Sequence, residues 1–390
     1  MKLSKNFFTA VLMFSLAGCS LFGGEEEIVQ VSPSPEVNNQ FPIQQVWKNS
    51  TSGNTHIYSL LGPVNYDNAI YVASRSGQVK AVDLSSGKTL WDVNLSKSSL
   101  FSSQTALFSG GMSADDKYVY VGSERAVVYA LDRNTGKVVW EKSVKGEVLA
   151  RPVAFEDKLI VHTTNGALQG LNRDTGDNLW DVSLEVPPLS LRGNSTPIIA
   201  HGAAILGDDN GRVNAYFIKD GQLIWQQRIS QPSGSTEIAK LNDVDSTPVV
   251  EGNLVYSVGY NGNVVALNLS NGQIVWRKQL GSTHSFAVNS DRLFVVDQDD
   301  NIQALSKNGG AELWKQSDFL HRQLTDPVIY QNYIVIGDFE GYLYWLNIEN
   351  GELTAKTKVN SSGLISKPLV ADNKLIVQAK DGDIYAFTKN

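Results

Sequence analysis

The chain has 390 residues, a formal net charge of −7 at pH 7 and one cysteine. A single cysteine leaves no intramolecular disulfide and no cysteine-ligated metal centre. The acidic balance argues against a nucleic-acid partner, which selects a basic face.

Lys2 and Lys5 precede a short apolar run from Phe7 to Leu16. A helix that crosses a bilayer needs about 20 apolar residues, so this pattern predicts an export signal over residues 1–18. Leu16-Ala17-Gly18-Cys19 follows. Small residues ahead of a cysteine resemble the bacterial lipobox, in which the thiol is acylated and becomes the new N-terminus; the alternative is an ordinary signal with a chance cysteine. Loss of the signal removes two lysines and leaves 31 basic against 40 acidic side chains, a net −9. A single acyl chain holds a protein marginally and several hold it stably; the lipobox resemblance implies several. Ser20 in place of an aspartate implies, by the sorting pattern of such lipoproteins, the outer membrane and its periplasmic face. From Gly23 to about Gln40 the chain is acidic, polar and proline-containing, which predicts a flexible tether over residues 19–40 and a folded domain over 41–390.

From Phe41 onward one pattern recurs: Gly, four residues later Ala, two later Asp or Asn, four later Gly, four later Trp. Its copies are Gly77-Ala81-Asp83-Gly87-Trp91, Ala130-Asp132-Gly136-Trp140, Gly166-Gly170-Asn172-Gly176-Trp180, Gly211-Ala215-Phe217-Gly221-Trp225, Gly262-Ala266-Asn268-Gly272-Trp276 and Asp300-Ala304-Ser306-Gly310-Trp314. A seventh copy, Gly341-Trp345-Asn347-Gly351-Ala355, carries Trp where Ala is expected. The eighth, Gly382-Ala386-Thr388, stops at Asn390. Pro63, Pro152, Pro197, Pro248, Pro327 and Pro368 each open a short strand ahead of a copy, and β-rich runs such as Lys158-Leu159-Ile160-Val161 come next. Every unit therefore reads as four short antiparallel strands. From Trp47 to Asn390 there are 344 residues, which divide into eight units of 43, the size of a propeller blade. The expected fold is all-β, an eight-bladed β-propeller. Its last blade lacks an outer strand, and Phe41–Ser50 with Trp47 is the expected replacement, closing the ring and hiding two open edges. Ala is expected to let sheets approach, Gly to supply a positive φ in a tight turn, and Trp47, Trp91, Trp140, Trp180, Trp225, Trp276 and Trp314 to wedge between blades.

The Ala-x-Asp-x-x-x-Gly-x-x-x-Trp repeat resembles the tryptophan-docking motif of quinone-type propellers, a family that includes calcium-dependent alcohol dehydrogenases. Those enzymes carry a vicinal disulfide, a calcium site with an aspartate, and often a haem segment. One cysteine forbids the disulfide, and no C-x-x-C-H motif is present. His56, His162, His201, His284 and His321 are scattered without metal-ligand spacing, and Asp297, Asp299 and Asp300 sit at an expected hairpin turn. No cofactor, metal or catalytic group is therefore expected.

Lipobox, tether and eight repeats together resemble the propeller lipoproteins of the outer-membrane β-barrel assembly (BAM) machinery across the whole mature chain. The more specific stretches are Pro188-Leu189-Ser190-Leu191-Arg192-Gly193, Gly207–Val213, Ile224–Ser230, Gly234–Ile238 and Asp243-Val244-Asp245-Ser246-Thr247-Pro248. The spacing between docking tryptophans is longest, 51 residues, from Trp225 to Trp276, and the excess lies in the polar loop from Gln231 to Asp243. Long loops on a rigid scaffold carry function. The resemblance implies that Leu189, Leu191, Arg192, Asp243 and Asp245 face the periplasmic POTRA region of BamA, with strand edges offered to unfolded outer-membrane β-barrel proteins. The competing expectation is internal: the leucines tuck under their own blade and Arg192 pairs with Asp243 or Asp245.

Overall fold

A computed structural model describes residues 30–52, 60–99 and 102–389; Cys19 and the signal segment lie outside the described residues. Eight four-stranded antiparallel sheets succeed one another along the chain, as the repeat predicts. Their first strands begin at Val64, Met112, Val153, Ile198, Val249, Ala287, Val328 and Leu369. Six of these follow directly on the six prolines noted above, where a missing N–H costs no ladder bond. First strands of successive blades approach one another and line the centre of the ring. Second and third strands, such as Ala69–Ala73 and Gln78–Asp83, are buried almost throughout because a neighbouring blade covers each face. Fourth strands lie at the rim and alternate between exposed and buried positions, as in Thr89–Asn94. The antiparallel course puts the connections between blades, and the turns from second to third strands, on one face of the ring.

Closure is the work of both ends of the chain. Ile43–Ser50 pairs antiparallel with Asp383–Lys389 and becomes the outer strand of blade 8. Trp47 there stands opposite Ala386, and the same large–small pairing recurs: Ala81 with Trp91, Ala130 with Trp140, Gly170 with Trp180, Ala215 with Trp225, Ala266 with Trp276 and Ala304 with Trp314. The small residue of the repeat thus makes room for its own blade's indole; a Cβ on Gly170 would run into the Trp180 ring. Blade 7 reverses the pair, with Trp345 on the third strand facing Ala355 on the fourth.

Each of the seven rim indoles reaches into the next blade. Their Nε1–H groups donate to the carbonyls of Leu84, Arg133, Arg173, Ile218, Leu269, Lys307 and Ile348 at 2.8–3.1 Å. Each ring also lies over the turn glycine of that blade, for example Trp180 over Gly221, whose φ is +74°. The glycine is needed twice over, for its backbone conformation and for the space its absent Cβ leaves. Asp83 organises the first of these turns, accepting from the Ser86 N–H and from the Ser85 and Ser86 hydroxyls. Those hydrogen bonds, the one from the Ser85 hydroxyl first, hold its carboxyl at about 2.

With Ala355 at the rim, blade 7 has no indole to send into blade 8. Tyr330 takes over: its hydroxyl donates to the Asn373 carbonyl at 2.9 Å and accepts from the Lys389 N–H at 3.2 Å. In the other blades the equivalent N–H and carbonyl bond directly, as Leu84 does to Asn68.

The expected free tether does not extend to Gln40. Ser32 N–H bonds to the Leu320 carbonyl at 3.0 Å, and the buried Arg322 guanidinium donates to the Ser32 carbonyl at 2.7 Å while pairing with Asp338 and Glu340. Ser34 meets the Tyr344 hydroxyl, Lys356 donates to the Pro35 carbonyl, and Gln40 N–H bonds to the Thr354 carbonyl. Residues 32–40 are therefore strapped along blade 7, covering the one outer strand without an indole.

Candidate partner-binding site

Two inter-blade connections carry the residues singled out from sequence. One joins Asn178–Ser183 to Ile198–Ala200, the other Leu223–Arg228 to Val249–Glu251. They leave the same face of the ring side by side and are stitched together where Ser195 Oγ donates to the Ser246 carbonyl at 2.9 Å, while Val244 N–H ties the second connection to the Asp208 carbonyl, on the turn between Ala203–Gly207 and Arg212–Phe217, at 3.0 Å.

The Leu189–Gly193 segment rests on carboxylates. Leu191 N–H donates to Asp243 Oδ1 at 2.9 Å, Ser190 hydrogen-bonds Asp209, and Gly193 passes so close to Asp245 that a Cβ would strike its carboxyl. Asp243 is 1% exposed; it lies beneath the loop rather than facing solvent. Leu189 is exposed, Leu191 half-buried and Arg192 exposed. Neither internal expectation holds as framed. Arg192 pairs not with Asp243 or Asp245 but with Glu124 at 3.1 Å and Glu147 at 3.6 Å, and Glu124 is shared with Arg75 at 2.5 Å. Blade 2 thus presents the acids that hold Arg192 over the face.

Crowding perturbs the carboxyls. Burial pushes the Asp209 carboxyl up to about 7, with the charges of Asp243 and Asp208 adding to it. Asp243, Asp245 and Asp208 are raised by burial as well, and Asp243 Oδ2 has no hydrogen-bond partner among the described residues. A neutral carboxyl is the cheaper occupant of such a space.

The long loop adds a residue that sequence reasoning quoted without assigning. Within a tight turn in which Lys240 N–H meets the Thr236 and Glu237 carbonyls, Ile238 is left 69% exposed, the highest value among the exposed large apolar side chains described. Leu189 and Ile238 are thus each exposed, one on each of the two neighbouring connections. The signal for Ile238 was an isolated isoleucine within a polar loop. Glu124 and Glu147 had none, being far from the loop in sequence.

The family model for the outer membrane protein assembly factor BamB matches residues 75–316 and 298–390. The chain belongs to the BamB family. Among similar curated proteins, BamB of Salmonella typhimurium is 50% identical over 392 residues and BamB of Yersinia pestis 49% over 393, each spanning the whole of both chains. The crystal structure of BamB from Moraxella catarrhalis superposes with a TM-score of 0.79 at 26% identity, covering 89% of this chain and 100% of that one. A europium-containing methanol dehydrogenase has a TM-score of 0.72 at 12% identity, covering 90% of this chain and 95% of that one, which shows a shared fold and nothing of its chemistry. Membership in the BamB family makes the repeat a scaffold feature and directs attention to the inter-blade connections.

Proposed function

We propose that the protein is a non-catalytic scaffold subunit of the outer-membrane β-barrel assembly machinery, lipid-anchored through Cys19 at the periplasmic face of the outer membrane, and that it docks on the POTRA region of BamA. The observation that carries the docking site is the Leu189–Arg192 loop, which presents two side chains to solvent while buried carboxylates hold its backbone from below. A preformed loop loses little entropy on binding, and exposed apolar residues beside an arginine match the make-up of binding hot spots. In this reading Leu189, Leu191 and Arg192 touch the partner, and Asp243 and Asp245 position them.

An affinity pull-down from detergent-solubilised membranes tests it, comparing wild type with the Leu189→Ala, Leu191→Ala, Arg192→Ala triple variant at equal melting temperature. BamA is expected with wild type and lost from the variant. Retention by both moves the site elsewhere and keeps the role; absence from both, with another envelope protein captured instead, overturns the role.

The rim supports a second contact. Leu90, Val139, Leu179, Val275 and Leu313 stand exposed on outer strands just ahead of the docking tryptophans, and unpaired outer edges accept extended chains. Photo-crosslinkers at these positions should capture unfolded barrel precursors in actively assembling membranes, and no adduct at any of them would sink this part of the reading.

A further inference from the structure

The first strands line the central channel, and the residue just before each opening proline lies at the channel mouth. In blades 3, 7 and 8 that residue is charged: Arg151, Asp326 and Lys367. Blades 3 and 7 are four apart in a ring of eight and therefore face each other across the channel. Arg151 and Asp326 nonetheless feel each other's charge, as do Arg151 and Lys367, so these side chains reach inward from opposing walls. Belt contacts fix their bases. Arg151 N–H bonds to Thr196 Oγ1 at 3.3 Å, and the Arg151 stem lies across Gly111, where any Cβ would displace it.

Charge at this mouth does not balance. The Arg151 guanidinium has no ion pair and no hydrogen bond among the described residues. Lys367 makes no ion pair either, its ammonium donating only to the Phe286 carbonyl at 3.3 Å. The nearby carboxylate, Asp326, is already engaged by His284 Nδ1 at 2.9 Å, and the other acids near that histidine, Asp297 and Asp300, act on His284 rather than on the two cations. In a chain of net charge −7, two cations without ion pairs, the exposed Arg151 and the half-buried Lys367, therefore converge on the channel mouth.

We propose that the channel mouth binds a small oxyanion, a phosphate or carboxylate bridged between Arg151 and Lys367. A guanidinium presents a planar fork of donors that matches such an anion, and a lysine adds a mobile point charge from the other wall. The site lies outside the docking loops, and its occupancy is separable from partner capture.

The test is calorimetric titration of the full chain, in uncharged detergent at low ionic strength, with inorganic phosphate and, separately, citrate. One saturable site per chain is expected for at least one probe, with affinity falling as salt is added. Arg151→Gln with Lys367→Gln should weaken it at least tenfold. Should the double variant melt early, each single variant still has to weaken binding. Asp326→Asn, which removes the competing anion, should tighten binding severalfold, an effect that a purely structural role would not produce. Absence of saturable binding with both probes, or binding unchanged in the cation variants, overturns the proposal.

Discussion

Under the Leu189–Arg192 loop four carboxyl groups share a buried space, and their titration sets how firmly the loop is held. Asp209 has a folded-state value near 7 against 3.8 when free. The folded form therefore holds the proton more tightly. That contribution is full below about pH 4 and is lost as pH rises through 7. Asp209→Asn keeps an acceptor for Ser190 and never ionises, so its stability relative to wild type should grow between pH 4 and 7, by on the order of 3–4 kcal/mol at about 1.4 kcal/mol per pH unit. Melting curves at pH 5 and pH 8 check this; the same difference at both would refute it. His162 acts with the opposite sign. Burial lowers it from 6.5 to about 4, so its contribution is present above pH 6.5 and lost as pH falls through 4. Little of this was legible beforehand. Asp208 and Asp209 stand in the sequence only within the Gly207–Val213 stretch, and only the fold brings Asp243 and Asp245 to them.

At the level of the element, the interlock of one blade with the next was readable, because every part of it recurs at fixed spacing. Trp180 shows what each interlock contributes: a ring over Gly221 and a hydrogen bond of 2.9 Å to the Ile218 carbonyl. Trp180→Ala should cost about 3–5 kcal/mol, as for other large aromatics removed from cores, and Gly221→Ala should cost about 1–3 kcal/mol through overpacking, with added strain from its positive φ. Denaturant unfolding measures both, and a wild-type midpoint in either would contradict the interlock. The purpose assigned to Ala from sequence was too general. Spacing shows that a small residue recurs but not what it faces, and register was needed to place it opposite Trp. The same limit applies to Trp345 and Ala355, which read as an irregular repeat and are in fact the standard pair with its strands exchanged.

For the whole molecule, closure joins residues more than 300 positions apart, and its main β-pairing was foreseen from the truncated eighth repeat. The tyrosine that completes it was not, because Tyr330 sits where other blades carry Tyr66, Phe155 or Ala200 and bears no mark of a special task. Tyr330→Phe removes the hydroxyl that bridges the part-buried Lys389 N–H and Asn373 carbonyl, which costs about 1 kcal/mol for each hydrogen bond lost; hydrogen exchange should quicken first at Lys389 if closure depends on this hydroxyl, and unchanged protection there would count against it. The strap was missed for a similar reason: Arg322 bears no mark of a special task in the sequence, yet it is 1% exposed and binds the Ser32 carbonyl. Pinning at Ser32 leaves 13 residues of chain back to Cys19, a contour of at most about 45 Å. Lipidation at Cys19 would then confine the strapped end of the propeller to a shallow layer at the membrane surface. Any binding surface in that layer meets it at an effective concentration on the order of millimolar, so a contact too weak to survive dilution in solution would still be occupied most of the time on the membrane.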